Sequence, residues 1–177
     1  QSTNLPVTVK TRLGWDEQTK YIAEVAERLQ DVGIEALSIH GRTRVQMYKG
    51  EADWSLIGQI KQNPRIRIPV FGNGDVNSPH VAEEKRQTYG VDGIMIGRAA
   101  IGQPWVFRDI KHYLKTGELL DPPGVSERVR VCKKHLADSI RWKGEREGVL
   151  EMRRHYQNYF RNYPSFKQFR TTLVQEY

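Results

Sequence analysis

The 177-residue chain can bury the core of one domain, or of one domain with a small appendage. No run approaches the ~18 apolar residues of a membrane span, no signal peptide is visible, and the single cysteine, Cys132, excludes an internal disulfide framework and suits a reducing cytosol. The net charge of +7 is uneven: residues 126–177 hold 12 of the 28 Lys and Arg but only 6 of the 21 Asp and Glu. A nearly neutral body with a basic tail points to a polyanionic partner, or else to a solvated basic helix surface.

In chain order, the first strand is expected at Val7-Thr8-Val9-Lys10-Thr11-Arg12. Asp16 can cap a following helix, in which Ile22, Val25, Ala26, Leu29 and Val32 keep helical spacing until Gly33 stops it. A second strand, Ile34–His40, runs into Gly41-Arg42-Thr43. Asp53 then caps a helix beginning near Trp54, and Ile68-Pro69-Val70-Phe71 makes a third strand that ends in Gly72-Asn73-Gly74-Asp75. Ser78-Pro79 is a strong helix opening, a side-chain cap followed by proline at the first helical position. That helix should stop at Gly90, before a fourth strand, Gly93-Ile94-Met95-Ile96, and its tip Gly97-Arg98. Strand centres 30, 31 and 26 residues apart are the period of βα units, not of a β-sandwich.

Past Ala99 the character changes. Pro104-Trp105-Val106-Phe107 opens a helix closed by Thr116-Gly117, and Asp121-Pro122-Pro123-Gly124 reads as a linker. Three helices are expected near 126–143, 147–162 and 165–176, with Pro164 separating the last two. The fold class is therefore α/β: the C-terminal half of a TIM (β/α)8 barrel over residues 1–120, then a small all-α domain over 121–177. A complete barrel needs typically ~250 residues, so the first half of the barrel is expected to lie outside this sequence.

Each strand delivers a polar or glycine-rich tip to one end of the sheet, where barrel enzymes keep their chemistry. Gly72-Asn73-Gly74-Asp75 and Gly97-Arg98 stand where barrel strands seven and eight form a phosphate site; glycines let backbone N–H groups approach an anion, and Arg98 adds a forked cation. Glycine-rich turns also simply end strands. Lys10 can meet the N1/O2 edge of an isoalloxazine ring, or pair with a nearby carboxylate. His40 can hydrogen-bond a flavin or a pyrimidine, or be structural, and Arg42 can reach a phosphate or a substrate carbonyl. The dispersed histidines and lone cysteine show no metal-ligand spacing, and Cys132 is expected to be remote from the sheet.

These residues together resemble the tRNA-dihydrouridine synthase family, most closely its bacterial branch. The likeness runs through Val7–Trp15, Ile39–Thr43, Gly72–Asp75, Gly93–Arg98, Gly102–Phe107 and Arg153-Arg154-His155-Tyr156. The resemblance implies FMN contacts at Lys10, His40, Asn73, Gly74, Asp75, Gly97 and Arg98, and NADPH as the source of hydride. It also implies hydride transfer from flavin N5 to uracil C6, with C5 protonated by a cysteine in an Asn-x-Gly-Cys-Pro loop. That loop is absent from this chain, so no catalytic residue is assigned within it and the chain alone is expected to be inactive.

The tail Arg153–Tyr163 interleaves cations with aromatics, which suits phosphates and exposed bases. It also fits an amphipathic helix whose Tyr156, Tyr159, Phe160 and Tyr163 face inward. Arg153, Arg154, Arg161, Lys167 and Arg170 are the candidate tRNA contacts. Two other readings stand beside the family: a dihydroorotate-dehydrogenase-like flavoprotein, which the basic tail disfavours, and a non-catalytic RNA-binding fragment. Four strands with two open edges are expected to dimerise, misfold or expose apolar surface in isolation.

Overall fold

A computed structural model describes residues 4–161, 163 and 166–175. Four short strands, β1 (Thr8–Arg12), β2 (Ala36–His40), β3 (Val70–Asn73) and β4 (Gly93–Met95), form one parallel sheet in chain order. Helices α1 (Ile22–Asp31), α2 (Ser55–Gln62) and α3 (Pro79–Tyr89) connect them, and α4 (Val106–Thr116) follows β4. The chain continues as α5 (Val125–Lys143), α6 (Glu145–Tyr159) and α7 (Phe166–Gln175).

The punctuation acts largely as its chemistry dictates. The Ser78 side chain accepts from the Val81 N–H with proline beside it, and Gly90 closes α3 in the left-handed region at φ 64°. Asp16, however, does not cap α1. It closes a capping box with Thr19 over a single 3-10 turn, Glu17–Thr19, and α1 starts at Ile22 without a side-chain cap. That local box satisfies Asp16 before the helix begins. β4 is also shorter than its apolar run, because the chain leaves the sheet after Met95 and turns into a 3-10 segment at Arg98–Ala100.

Register sorts the strand residues into two faces. The rows Val9–Leu37–Val70 and Thr11–Ile39–Gly72–Ile94 face the helices. There Leu37, Ile39 and Val70 are wholly buried with Ile22, Ala26, Ile57, Ile60 and Ala82. Alternate strand residues supply this apolar face, as a sheet–helix layer requires. Of the opposite face, Thr8 and Lys10 are exposed and Ser38, Phe71 and Met95 half-buried, while His40 at its end is buried. β1 and β4 are each paired on one side only, and Leu5 and Val7 beside β1 are exposed.

A second apolar cluster joins Cys132 of α5 to Met152, Tyr156 and Tyr159 of α6, with Trp105, Phe160 and Phe166 packed on it. Tyr156 and Tyr159 thus turn inward as their spacing predicts, and Phe160 is half-buried beside them. Gly148 lets α6 press against α5, since a Cβ there would meet the Ile140 backbone at 2.7 Å. Pro164 and the side chains of Lys167 and Arg170 lie outside the described residues.

Candidate functional site at the carboxyl ends of the strands

The last row of the sheet sets the site. Arg12, His40, Asn73 and Met95 are neighbours in register across all four strands. Their side chains, with Lys10 two residues back on β1, line a cavity of about 840 Å3 that Gly74, Asp75, Gly97 and Arg98 also border. Seven residues expected at one site from sequence are therefore brought together: Lys10, His40, Asn73, Gly74, Asp75, Gly97 and Arg98.

Backbone links hold the tips in place. The loops after β1 and β2 are zipped by Leu13 N–H to Arg42 O and Arg44 N–H to Gly14 O. Gly41 joins β2 to β3 by donating to Asn73 O at 2.9 Å, and the Asn73 side chain donates to Met95 O at 2.7 Å. Asn73 thereby ties β3 to β4 with its amide nitrogen. Gly72 has no room for a side chain, because a Cβ would lie 2.0 Å from the Trp54 ring. Trp54 is buried over that glycine and donates its indole N–H to Gly74 O at 3.0 Å, holding the Gly74 tip at φ 130°.

Arg42 takes a different place from the one expected. It is 2% exposed and does not border the cavity. Its guanidinium donates to both Asp75 carboxylate oxygens, at 2.9 and 2.7 Å, and to the Lys49 and Gly50 carbonyls. Asp75 also accepts from the Ala52 N–H at 2.8 Å and from Arg98 at 3.1 Å. These partners hold a non-glycine residue in the left-handed region, at φ 56°. Burial alone would push the Asp75 carboxyl up; hydrogen bonds from Arg42 and Ala52 and the charges of Arg42 and Arg98 reverse it, so its pKa lies below the usual carboxylate value.

Cation density shapes the rest of the cavity. His40 is held down to about 4, first by burial and then by the charges of Arg12, Lys10 and Arg42, against a smaller pull from Asp75. Its imidazole is therefore neutral at neutral pH, with one donor and one acceptor nitrogen. The Lys10 side chain as a whole is exposed, yet the enclosed part of it and then the Arg12 charge lower its ammonium pKa. Arg12 donates to Thr43 O and Met47 O, and Tyr48 lies under the guanidinium of Arg98 at 4.4 Å and of Arg12 at 5.9 Å. An anion meeting Lys10, Arg12 and Arg98 together is electrostatically favoured.

Arg12, Tyr48, Gln103 and Asn158 border the cavity without having been expected there. Arg12 ends the first strand in the same position that His40 and Asn73 hold in theirs, which only the register reveals. Of the tail cations, Arg161 reaches the cavity. Arg153 is half-buried on α6, whereas Arg154 is exposed and pairs with Glu151 at 3.4 Å; neither borders this cavity. The tail is brought to the site by Gly102, at φ 71°, which packs directly on Asn158 and Tyr159. Cys132 sits in the second cluster, its thiol pushed up to about 11 by burial, and is not at the cavity.

Among the described residues no group of three or more His, Cys, Asp and Glu could hold a metal ion, and no helix is long and apolar enough to cross a membrane. A parallel α/β sheet with helices on one face and a cation-lined cavity at its carboxyl ends defines an α/β protein with a site fit for an anionic ligand. Residues 1–176 match the dihydrouridine synthase family, and the chain belongs to that family. It is 47% identical to tRNA-dihydrouridine synthase B of Pseudomonas putida, over 94% of this chain and 49% of that protein. Identity is 41% to the Salmonella typhimurium protein of the same name, over 96% and 52%, and 40% to a probable tRNA-dihydrouridine synthase of Rickettsia conorii, over 96% and 51%. The chain spans about half the length of the curated relatives it matches.

Proposed function

We propose that this chain is the flavin-phosphate and tRNA-binding portion of an FMN-dependent tRNA-dihydrouridine synthase that reduces uridines in tRNA with NADPH as hydride source. Residues 1–120 are one half of a (β/α)8 barrel whose inward face is the side bearing Lys10, Ser38 and Phe71. Residues 121–177 are a helical tRNA-binding domain. The cytoplasm, where tRNA is found, is its place of work.

The observation that carries this reading is the convergence of Lys10, His40, the Asn73–Asp75 turn and Arg98 on one cavity at the strand ends. Its residues suit FMN. The volume of about 840 Å3 is within the usual range for cofactor sites, roughly 300–1,000 Å3. At Gly97 a Cβ would meet nothing within 4 Å, so the tip beside Arg98 opens on free space that a phosphate can enter.

When bound, the flavin supplies reversible hydride transfer. Gly97 and Arg98 would hold its phosphate, Arg98 as a charge-assisted donor. Lys10 would place positive charge at the ring edge that gains electron density on reduction, and neutral His40 can donate or accept one hydrogen bond there. Asp75 would act through Arg98, whose guanidinium it orients, rather than on the ligand itself. Arg161, at the cavity, is the tail cation placed to meet a tRNA phosphate, with Arg153 and Arg154 further along α6. The proton donor at C5 is assigned to the rest of the protein.

Two measurements test the proposal. Purified protein should carry or bind FMN, read from flavin absorbance and fluorescence quenching. Loss of the full-length gene should remove dihydrouridine from at least one tRNA position. A protein that does not bind FMN, or an unchanged dihydrouridine map in cells with no redundant enzyme, refutes it.

A further inference from the structure

A second cavity, about 480 Å3, lies between the loop after β4 and the α5–α6 pair. Ile101, Pro104 and Val131 give it apolar walls, and His135, His155 and Tyr159 line it beside the charged Lys134 and Asp138. Ile101 borders the main cavity as well, so the two spaces adjoin. The histidine rings lie 5.1 Å apart, and His135 Nδ1 shares a hydrogen bond of 3.0 Å with the Tyr159 hydroxyl. Burial, followed by the neighbouring His135, lowers the His155 pKa, which favours its uncharged ring.

The α5 wall is a single helical stripe. Val131, Lys134, His135 and Asp138 follow three- and four-residue spacing, and the next position on that stripe is Trp142, 85% exposed. The one carboxylate on the stripe, Asp138, is neutralised by Lys134 at 2.7 Å and Arg141 at 3.1 Å. The surrounding segment, residues 126–177, carries most of the chain's excess positive charge.

We propose that this groove is a second nucleobase site, which takes an unpaired base of the tRNA beside the nucleotide entering the main cavity, while Trp142 stacks on a further base. The inference rests on the tRNA reading above. A planar, uncharged ring with polar edges matches apolar walls that carry imidazole and phenol groups, and a polyanionic backbone matches the basic segment around them. The shared residue Ile101 allows one strand to serve both spaces.

The test uses the intact protein and a fluorescently labelled, unmodified tRNA transcript, with binding followed by anisotropy at several salt concentrations. Val131→Trp fills the groove and Trp142→Ala removes the exposed ring. Each is expected to weaken binding about tenfold. The slope of log affinity against log salt should stay unchanged, because no phosphate contact is lost. FMN binding should also be unaltered. Trp142 is too exposed to support the fold, so W142A decides the question should V131W melt early. Wild-type affinity in W142A and in a folded V131W would overturn the inference, as would a change in oligomeric state without a change in tRNA affinity, which would give the groove to a protein neighbour. A wild-type protein that does not bind tRNA at all overturns the parent reading instead.

Discussion

Asp75 receives both amino groups of Arg42 and, on the same carboxylate, one from Arg98. One arginine is buried and the other stands at the cavity, so a single side chain couples the packing of the β2 loop to the position of a cation at the site. Removing the buried partner should therefore be felt in both stability and ligand binding. Arg42→Met is expected to cost about 1.5–3 kcal/mol, the loss of charge-assisted hydrogen bonds to an Asp75 carboxylate that is itself partly exposed. A shift in the urea midpoint at constant m-value, together with weaker FMN binding, would confirm it. Arg42→Lys should recover little, because a point charge cannot reproduce the bidentate fork.

Arg98→Ala leaves the Arg42–Asp75 pair in place and removes a cation at the cavity. Loss of one charge-assisted hydrogen bond, about 1.5–3 kcal/mol, predicts FMN affinity lower by roughly ten- to a hundredfold with an unchanged melting temperature. An unchanged FMN affinity would place the phosphate elsewhere.

The helix side of the sheet gives a sharper stability test. Gly72→Ala forces a methyl group into the Trp54 ring, whose nearest atom would be 2.0 Å away, and should be among the most damaging single changes in the chain. Trp54→Phe keeps most of the packing but leaves Gly74 O without its indole donor. About 1–3 kcal/mol is expected for that lost buried bond, read by chemical denaturation.

His40 makes stability depend on pH in a defined direction. Its folded pKa, about 4, lies below the ordinary value of 6.5, so between those limits the unfolded chain binds a proton that the folded chain refuses. Stability should fall as pH drops from 6.5 towards 4, and His40→Gln should flatten that part of the profile. Asp75, depressed below the ordinary carboxylate value of 3.8, acts in a separate and more acidic window. Urea midpoints measured from pH 2 to 7 for both proteins separate the two groups.

The single-sided pairing of β1 and β4 predicts association of the isolated chain. Light scattering across a concentration series should show mass rising with concentration. A monomer that unfolds cooperatively would contradict this.

Much of the architecture was legible in residue order because it depends on near neighbours. Apolar runs some 30 residues apart, Ser78-Pro79 at a helix start, Gly90 and Gly117 at helix ends, and the tyrosine spacing of α6 all act within one turn or one strand. The glycine-rich tips carried the site for the same reason, since their chemistry is local. Asp16 misled because a capping box with Thr19 satisfied it three residues before the helix that it seemed to open.

What residue order alone determined was the βα rhythm, the glycine and polar tips, and the basic, aromatic tail. Tertiary structure alone decided which of the polar groups face the cavity: Arg12 does and Arg42 does not, although both are arginines in a strand tip. The physical reason is register. Arg12 stands in one row with His40 and Asn73, while the partners that bury Arg42 include Asp75, which comes 33 positions later and meets it only when β3 has been laid beside β2.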